Sequence, residues 1–228
     1  MKQSQEQVIF EYEGDNWFER NKTALNDDHL RRDQPLLLLD LYHLQPQKVL
    51  EVGCSNGYRL AEIAERYHCR VVGVEPSSAA IADGRERFPN VEFVQGVANA
   101  IPLHETFDLI IVNFVFSLVD RARILQTVGE IDRLLADGGL LIMGDFFPAT
   151  PQKVDYHHLP QGEFFTFKQD YGAVFLASGI YHPISLLTGS HGSLTLSVEP
   201  QEQERIGTWL LRKSLNDLYT RRQFVTGS

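Results

Sequence analysis

Cysteine is almost missing from this sequence: Cys54 and Cys69 are the only two in 228 residues. Two thiols so placed build neither a disulfide framework nor a zinc cluster, and a reducing, cytoplasmic setting is the expectation. Long apolar runs are also missing. Leu36–Leu39 and Leu109–Val112 fall far short of the roughly 20 residues needed to cross a bilayer, so no membrane partner is expected. The first seven residues are polar and lack the apolar segment of a signal peptide. Positive charge is in deficit, with 21 Lys and Arg against 30 Asp and Glu, for a formal charge of −9. A protein that tracks a phosphate backbone gains from a basic face. Here the local basic groups are only Arg31-Arg32, Arg212-Lys213 and Arg221-Arg222, so no nucleic acid partner is expected. Internal repeats and low-complexity segments are absent too. A small molecule is left as the expected partner; oligomeric state is not legible.

What is present is the material of one α/β domain. Hydrophobic residues make up 43% of the chain and include 14 Phe, enough for a substantial core. The most informative stretch is Lys48-Val49-Leu50-Glu51-Val52-Gly53-Cys54-Ser55-Asn56-Gly57, followed by Val71-Val72-Gly73-Val74-Glu75. An apolar strand runs into a glycine turn and a helix, and a second strand then ends on a carboxylate. This is the front half of a nucleoside-binding βαβ unit. The glycine spacing separates two cofactor classes. A dinucleotide fingerprint requires glycines at the first, third and sixth positions, whereas counting from Gly53 gives Ser55 and Tyr58 at the latter two. The segment offers instead Glu51 two residues before the first glycine, and Gly57 at the fifth position. This pattern suits a cofactor without pyrophosphate that carries an amino acid with its ammonium group.

The segment resembles the class I S-adenosylmethionine-dependent methyltransferases, whose Glu-x-Gly-x-Gly-x-Gly loop reads here Glu51, Gly53, Ser55, Gly57. Later landmarks fall in the family's order: Val91–Ala98, Phe107–Asn113, and Leu134-Leu135-Ala136-Asp137-Gly138-Gly139. The resemblance covers about Pro46 to Asp145. It implies a Rossmann-like, doubly wound sheet of seven mostly parallel strands, with one antiparallel strand near the C-terminus. It also implies S-adenosylmethionine as cofactor. Glu51, Gly53, Cys54, Ser55 and Gly57 would then lie against its methionine part and Glu75 would hold the ribose hydroxyls. Pro76, Val97, Ala98 and Asn113 would complete the cofactor edge. Two departures stand out. Ser55 replaces the middle glycine, and Val97 stands where many members carry an adenine-binding aspartate, which leaves Asn99 or backbone groups for that contact.

Alternating apolar patterns place strands at 48–52, 70–75, 91–95, 107–113 and 139–145. Helices are expected at 57–67, 77–88 and 121–135, with Ser77 as an N-cap. Farther on, a helix at 170–178, strands at 183–187 and 206–213, and a short closing helix at 215–222 are expected. The organisation that follows is a lid at 1–34, a cofactor-binding core at 35–145, a substrate-cover insertion at 146–169, and the rest of the sheet at 170–228. The lid is expected to be an irregular aromatic segment, with Tyr12 and Trp17 over the cofactor. The aromatic insertion is expected to exclude water around the methyl group.

An acceptor hydroxyl would need a base. The candidates are His157, His158 and Asp145, while the histidine that many family members carry after the fourth strand is replaced here by Phe116-Ser117-Leu118. No spacing enforces a metal site from Asp145, Asp155 and the histidines, so no metal is expected. The expected function is O-, N- or C-methylation of a small acceptor such as a sugar, nucleotide-sugar or natural-product intermediate. A cofactor-binding regulator without catalysis is the alternative. A nicotinamide oxidoreductase is opposed by Tyr58 and by the reversed final strand.

Overall fold

Alternation along the central strands decides the architecture. In strand β1 (Lys48–Val52), Leu50 and Val52 belong to one buried cluster and Val49 to another. Strand β4 (Phe107–Asn113) repeats the division, with Ile110 and Val112 against Leu109 and Ile111. A strand whose two faces are both apolar must lie between two helical layers. The computed structural model, which describes residues 3–25, 27–159, 164–217 and 219–222, has that arrangement.

The remaining strands are β2 (Arg70–Glu75), β3 (Glu92–Gln95), β5 (Leu135–Phe146), β6 (Gln152–Asp155), β7 (Phe165–Lys168), β8 (Tyr181–Ser190) and β9 (Arg205–Lys213). Seven form one sheet in the order β3-β2-β1-β4-β5-β9-β8. β9 runs antiparallel to both neighbours, and the other pairings are parallel. This is the expected doubly wound sheet with one reversed strand. β6 and β7 form a separate antiparallel hairpin.

The helices are α1 (Gln5–Val8), α2 (Gly14–Asn21), α3 (Asp27–Arg31), α4 (Gln34–Leu41), α5 (Tyr58–Tyr67), α6 (Ser78–Arg87), α7 (Ile124–Leu134) and α8 (Gly172–Ala177). Leu36, Leu38 and Leu39 of α4, with Leu60 and Ile63 of α5, cover one face of the sheet. Ile131 and Leu134 of α7, with Phe175 of α8, cover the other. Ser77 caps α6 as expected, its Oγ accepting from the Ala80 N–H at 3.0 Å.

Three expectations require correction. The first segment is not irregular: α1, one wide turn over Ile9–Glu13 and α2 form a nearly continuous helix. Its start is fixed by a capping box between Ser4 and Gln7. β5 begins at Leu135, earlier than expected, because the Asp137-Gly138-Gly139 turn is looped out within the strand. Phe107 pairs with Leu135 while Leu109 already pairs with Leu140. Finally, no closing helix forms among the described residues after 214, and Leu218 lies outside them. No helix among the described residues is long and apolar enough to cross a membrane.

Candidate active site

The chain runs from β1 outward to β2 and β3, then crosses back to β4 on the other side of β1. Ligands of open α/β sheets bind beyond the carboxyl ends of the strands at such a switch point. The residues at that edge of β1 and β4 are the glycine loop and Asn113.

The loop takes its shape from left-handed backbone at three alternate residues, Gly53 (φ 74°), Ser55 (φ 53°) and Gly57 (φ 76°). A Cβ on Gly53 would collide with the Val115 side chain in the turn after β4. A Cβ on Gly57 would stand 2.6 Å from Phe93 Cζ. The glycines therefore permit both the dihedrals and the close approach. Ser55 adopts the left-handed conformation despite its Cβ, which is the strain expected of a serine at that position. The Cys54 thiol packs on Gly73 in the core, so its side chain does not face the edge.

Alternation turns the Glu51 side chain toward the α4 and α5 layer. There the buried Arg59 guanidinium from α5 reaches Glu51 Oε1 and grips Asp33, the N-cap of α4, with bonds of 2.7–3.0 Å. One guanidinium thus serves two buried carboxylates, and Asp33 has the larger share. Burial pushes the Glu51 carboxyl up to about 7, with Arg59 opposing it, and Glu51 Oε2 is left buried without a hydrogen bond. Glu75 is also buried. Its oxygens accept from the Ser55 and Ser77 backbone N–H groups at 2.8 and 3.0 Å. No cation among the described residues pairs with it, and burial raises it to about 7 against those two bonds. Ser55 Oγ and Asn99 Oδ1 are likewise buried and unpaired. Pro76 follows Glu75, its carbonyl accepting from Gln95 at 3.0 Å. Val97 is half-buried and Ala98 buried in the turn after β3, where the Ala100 N–H bonds to the Val97 carbonyl at 3.0 Å. Asn113 places its Oδ1 directly against Gly144.

These unpaired acceptors (Glu51 Oε2, Ser55 Oγ, Asn99 Oδ1) and the spare lone pairs of Glu75 fit a ligand rich in donors and positive charge. S-adenosylmethionine has those properties, with an ammonium group, a ribose diol and an adenine amino group. The residues present fit that cofactor.

The N-terminal helix lies across this edge, and its grip is polar. Gln5 bonds the Leu118 and Phe165 carbonyls at 2.8 and 3.1 Å and accepts from the Phe165 N–H at 2.8 Å. Glu6 accepts from the Asp120 N–H at 2.7 Å. Asp15 accepts from Ser77 Oγ, Ser78 Oγ and the Ala79 N–H at 2.6–3.1 Å, at the start of α6. Glu13 is buried, pairs with Arg20, and receives the Tyr156 hydroxyl at 2.8 Å. Tyr12 and Trp17 are instead 43% and 37% exposed, so the buried side of the segment is made by other residues than the aromatics expected to form it.

The candidate bases are not brought together. His157 and His158 occupy an exposed turn after β6, their rings 3.8 Å apart and beside Tyr156. Asp145 is buried in β5, and its oxygens accept from the Ser117 and Phe146 N–H groups at 3.0 and 2.8 Å. Burial raises its carboxyl to about 6. Asp155 is exposed on β6, and among the described residues no group of three or more His, Cys, Asp or Glu side chains is placed to hold a metal ion. Gly162 and Glu163 of the insertion lie outside the described residues.

Several participants escaped the sequence reading. Arg59 sits two residues past Gly57, and the i-to-i+8 step from Glu51 was its only signal. Gln5, Glu6, Glu13 and Asp15 carried no signal in their spacing. His191, in the β8–β9 turn, lies against Phe114 and Phe146 with ring centroids 5.2 and 5.0 Å apart. Its signal was the Ser190-His191-Gly192 turn, which falls at the same edge as the ends of β4 and β5.

Comparison with known proteins agrees with this geometry. Residues 49–139 match the methyltransferase domain family. A ubiquinone/menaquinone biosynthesis C-methyltransferase of Campylobacter jejuni is 27% identical over 117 residues, 48% of each chain. A probable S-adenosylmethionine-dependent methyltransferase of Mycolicibacterium smegmatis is 34% identical over 110 residues, 47% of this chain and 39% of that one. The chain spans about half the length of the curated relatives it matches, or less. In fold it is similar to the 1,6-didemethyltoxoflavin N1-methyltransferase of Burkholderia thailandensis, with a TM-score of 0.70, 14% identity and coverage of 94% and 92% of the two chains. Residues 49–139, with the glycine loop and the carboxylate that ends β2, are thus similar to the methyltransferase domain family, and the sheet with its reversed β9 is similar to the fold of a solved N-methyltransferase.

Proposed function

We propose that this protein transfers a methyl group from S-adenosylmethionine to a small-molecule acceptor. The observation that carries this reading is the row of buried, unpaired acceptor atoms along the strand edge, Glu51 Oε2, Ser55 Oγ and Asn99 Oδ1, next to an uncompensated Glu75. Leaving such atoms unmade costs about 1–3 kcal/mol each, which a ligand of matching donors recovers. In this reading Glu51 faces the ammonium, Glu75 the ribose diol and Asn99 the adenine amino group. Gly53, Ser55, Gly57, Pro76, Val97, Ala98 and Asn113 supply backbone and shape, and Tyr12 and Trp17 flank the outer side of the lid.

The bound cofactor supplies a methyl group already activated on a sulfonium. The chain's own residues then have to align an acceptor and exclude water. Residues 1–34 serve as the lid, fastened by Gln5, Glu6, Glu13 and Asp15 to three different loops. Residues 35–145 are the cofactor core, 146–169 the acceptor cover and 170–228 the outer part of the sheet. Small acceptors suit an edge already crossed by a helix and a hairpin. 1,6-Didemethyltoxoflavin, the compound bound by the Burkholderia protein, is of that size class. Incubation of the purified protein with labelled S-adenosylmethionine and fractionated metabolite extracts tests the reading. Label in a small organic product supports it, and label only in macromolecules contradicts it.

A further inference from the structure

The edge beyond β4 and β5 carries a second constellation beside the cofactor cradle. It begins at Phe114, which immediately follows Asn113 and holds left-handed backbone at φ 56° without being a glycine. Its N–H is tied to the Gly144 carbonyl at 2.8 Å. A bulky residue in this conformation is strained, and such strain marks functional positions. The same turn abuts the cofactor loop, since Val115 fills the space a side chain on Gly53 would need. Phe114 thus sits between the methyl-donor loop and the end of β5.

Around Phe114 three rings converge. Phe114 meets Phe146 edge-on at 5.6 Å, and His191 lies 5.2 and 5.0 Å from the two. His191 is half-exposed. Its Nδ1 stands 3.9 Å from Glu204 Oε2, a carboxylate held in place by the Gly192 N–H at 2.9 Å. Lys168 from β7 places its ammonium 3.9 Å over the Phe146 ring and donates to the Gln203 carbonyl at 3.1 Å. An imidazole with one nitrogen toward a carboxylate, two phenyl rings and a cation therefore share one patch.

We infer that His191 is the base of the reaction, and that it forms with Phe114 and Phe146 a slot for a planar acceptor bearing a phenol- or enol-type hydroxyl. The inference rests on the methyl-transfer reading above. Glu204 faces Nδ1, which leaves Nε2 to take the acceptor's proton, and Glu204 stabilises the imidazolium that forms. The O–H electron pair stays on oxygen, which bonds to the methyl carbon while the carbon–sulfur pair returns to sulfur. Lys168 faces the developing oxyanion as a positioning cation. Burial and Lys168 lower the His191 pKa, with Glu204 opposing, so the ring is neutral and able to accept a proton at pH 7. The charged groups facing it are Glu204 from its own loop and Lys168 from β7, with Asp145 of β5 acting on Lys168 from behind.

The test uses the intact protein saturated with S-adenosylhomocysteine and 4-nitrophenol as probe, because the probe's absorbance reports its ionisation. The expected result is binding as phenolate, with Lys168→Met weakening it about tenfold and Lys168→Arg restoring it. His191→Gln should still bind S-adenosylhomocysteine and should remove the pH dependence of phenolate binding contributed by the imidazole. With phenols that accept labelled methyl, His191→Gln should lower kcat about a hundredfold or more, leave KM nearly unchanged and erase the acid limb of the pH profile. His157→Gln and His158→Gln should retain activity. The inference is overturned if wild type does not bind 4-nitrophenol, if His191→Gln keeps the wild-type rate and pH profile, or if only the His157 and His158 variants lose turnover. Failure of wild type to bind S-adenosylhomocysteine would instead overturn the methyl-transfer reading, so the two failures are distinguishable.

Discussion

Replacing Glu75 by Gln should stabilise the free protein at high pH while weakening cofactor binding. Burial raises the carboxyl from 4.5 to about 7, so its folded-state pKa lies above its unfolded value. The stability it contributes is therefore fully present below about pH 4.5 and is lost as pH rises through 7. The difference corresponds to roughly 3 kcal/mol of preference for the neutral acid, present as a full penalty by pH 8. Between pH 8 and pH 5.5 the wild type regains about 2 kcal/mol of this. Gln removes the penalty but offers one acceptor oxygen where two backbone donors, Ser55 and Ser77, need partners. The orphaned N–H returns a cost of about 1–3 kcal/mol. The net at pH 8 is a gain of roughly 0–2 kcal/mol, or a Tm increase of up to about 8 °C for a chain of this size. At pH 5.5 the advantage should vanish or reverse. Binding moves the other way: loss of a charged acceptor for the ribose diol should raise the Kd for S-adenosylhomocysteine about ten- to a hundredfold. Thermal denaturation at the two pH values and calorimetric titration measure both effects. An unchanged Kd, or a Glu75→Gln protein more destabilised at pH 8 than at pH 5.5, would refute the reasoning.

Three further outcomes follow from the same geometry. Gly57→Ala forces a Cβ into left-handed backbone 2.6 Å from Phe93 Cζ, and should cost about 2 kcal/mol or more in urea denaturation together with cofactor binding. Arg59→Met leaves Asp33 and Glu51 buried without their shared cation and should cost about 3–5 kcal/mol. Because Glu51 is already pushed up to about 7, part of that loss should be recovered as pH falls from 8 to 5.5, and a loss independent of pH would count against the triad. Asp15→Ala removes the clamp between α2 and the start of α6, at a stability cost of about 1 kcal/mol. Amide exchange should accelerate over the N-terminal helix and leave the central strands unchanged; uniform protection would separate the lid from this contact.

The legible part of the fold was the part fixed by local periodicity. β1, β2 and β4 begin and end where the apolar alternation does, and Ser77 caps α6 because its hydroxyl needs only a neighbour three residues on. β5 was read short because the Asp137-Gly138-Gly139 turn is a bulge inside the strand, a distinction made by pairing with β4. The N-terminal segment was read as irregular because its burial is polar. Gln5, Glu6, Glu13 and Asp15 find partners on loops more than sixty residues away, and no spacing announces a bond of that kind. The glycine loop and the carboxylate that ends β2 were legible for the same reason as β1, since they are close in sequence. The ring cluster beyond β4 and β5 was not. Phe114 follows β4, Phe146 ends β5, Lys168 ends β7 and His191 follows β8, and only the tertiary arrangement brings the four together. His157 and His158, offered by the sequence as bases, lie in an exposed turn with their rings against each other.

The central claim is that the edge beyond β1 and β4 holds a sulfonium nucleoside rather than a dinucleotide. Isothermal titration of the purified protein with S-adenosylhomocysteine and with NAD tests it most directly. Saturable one-to-one binding of S-adenosylhomocysteine, weakened on acidification through pH 7 and in Glu75→Gln, with no binding of NAD, is the predicted result. Binding of NAD, or no heat with S-adenosylhomocysteine at either pH, would contradict it.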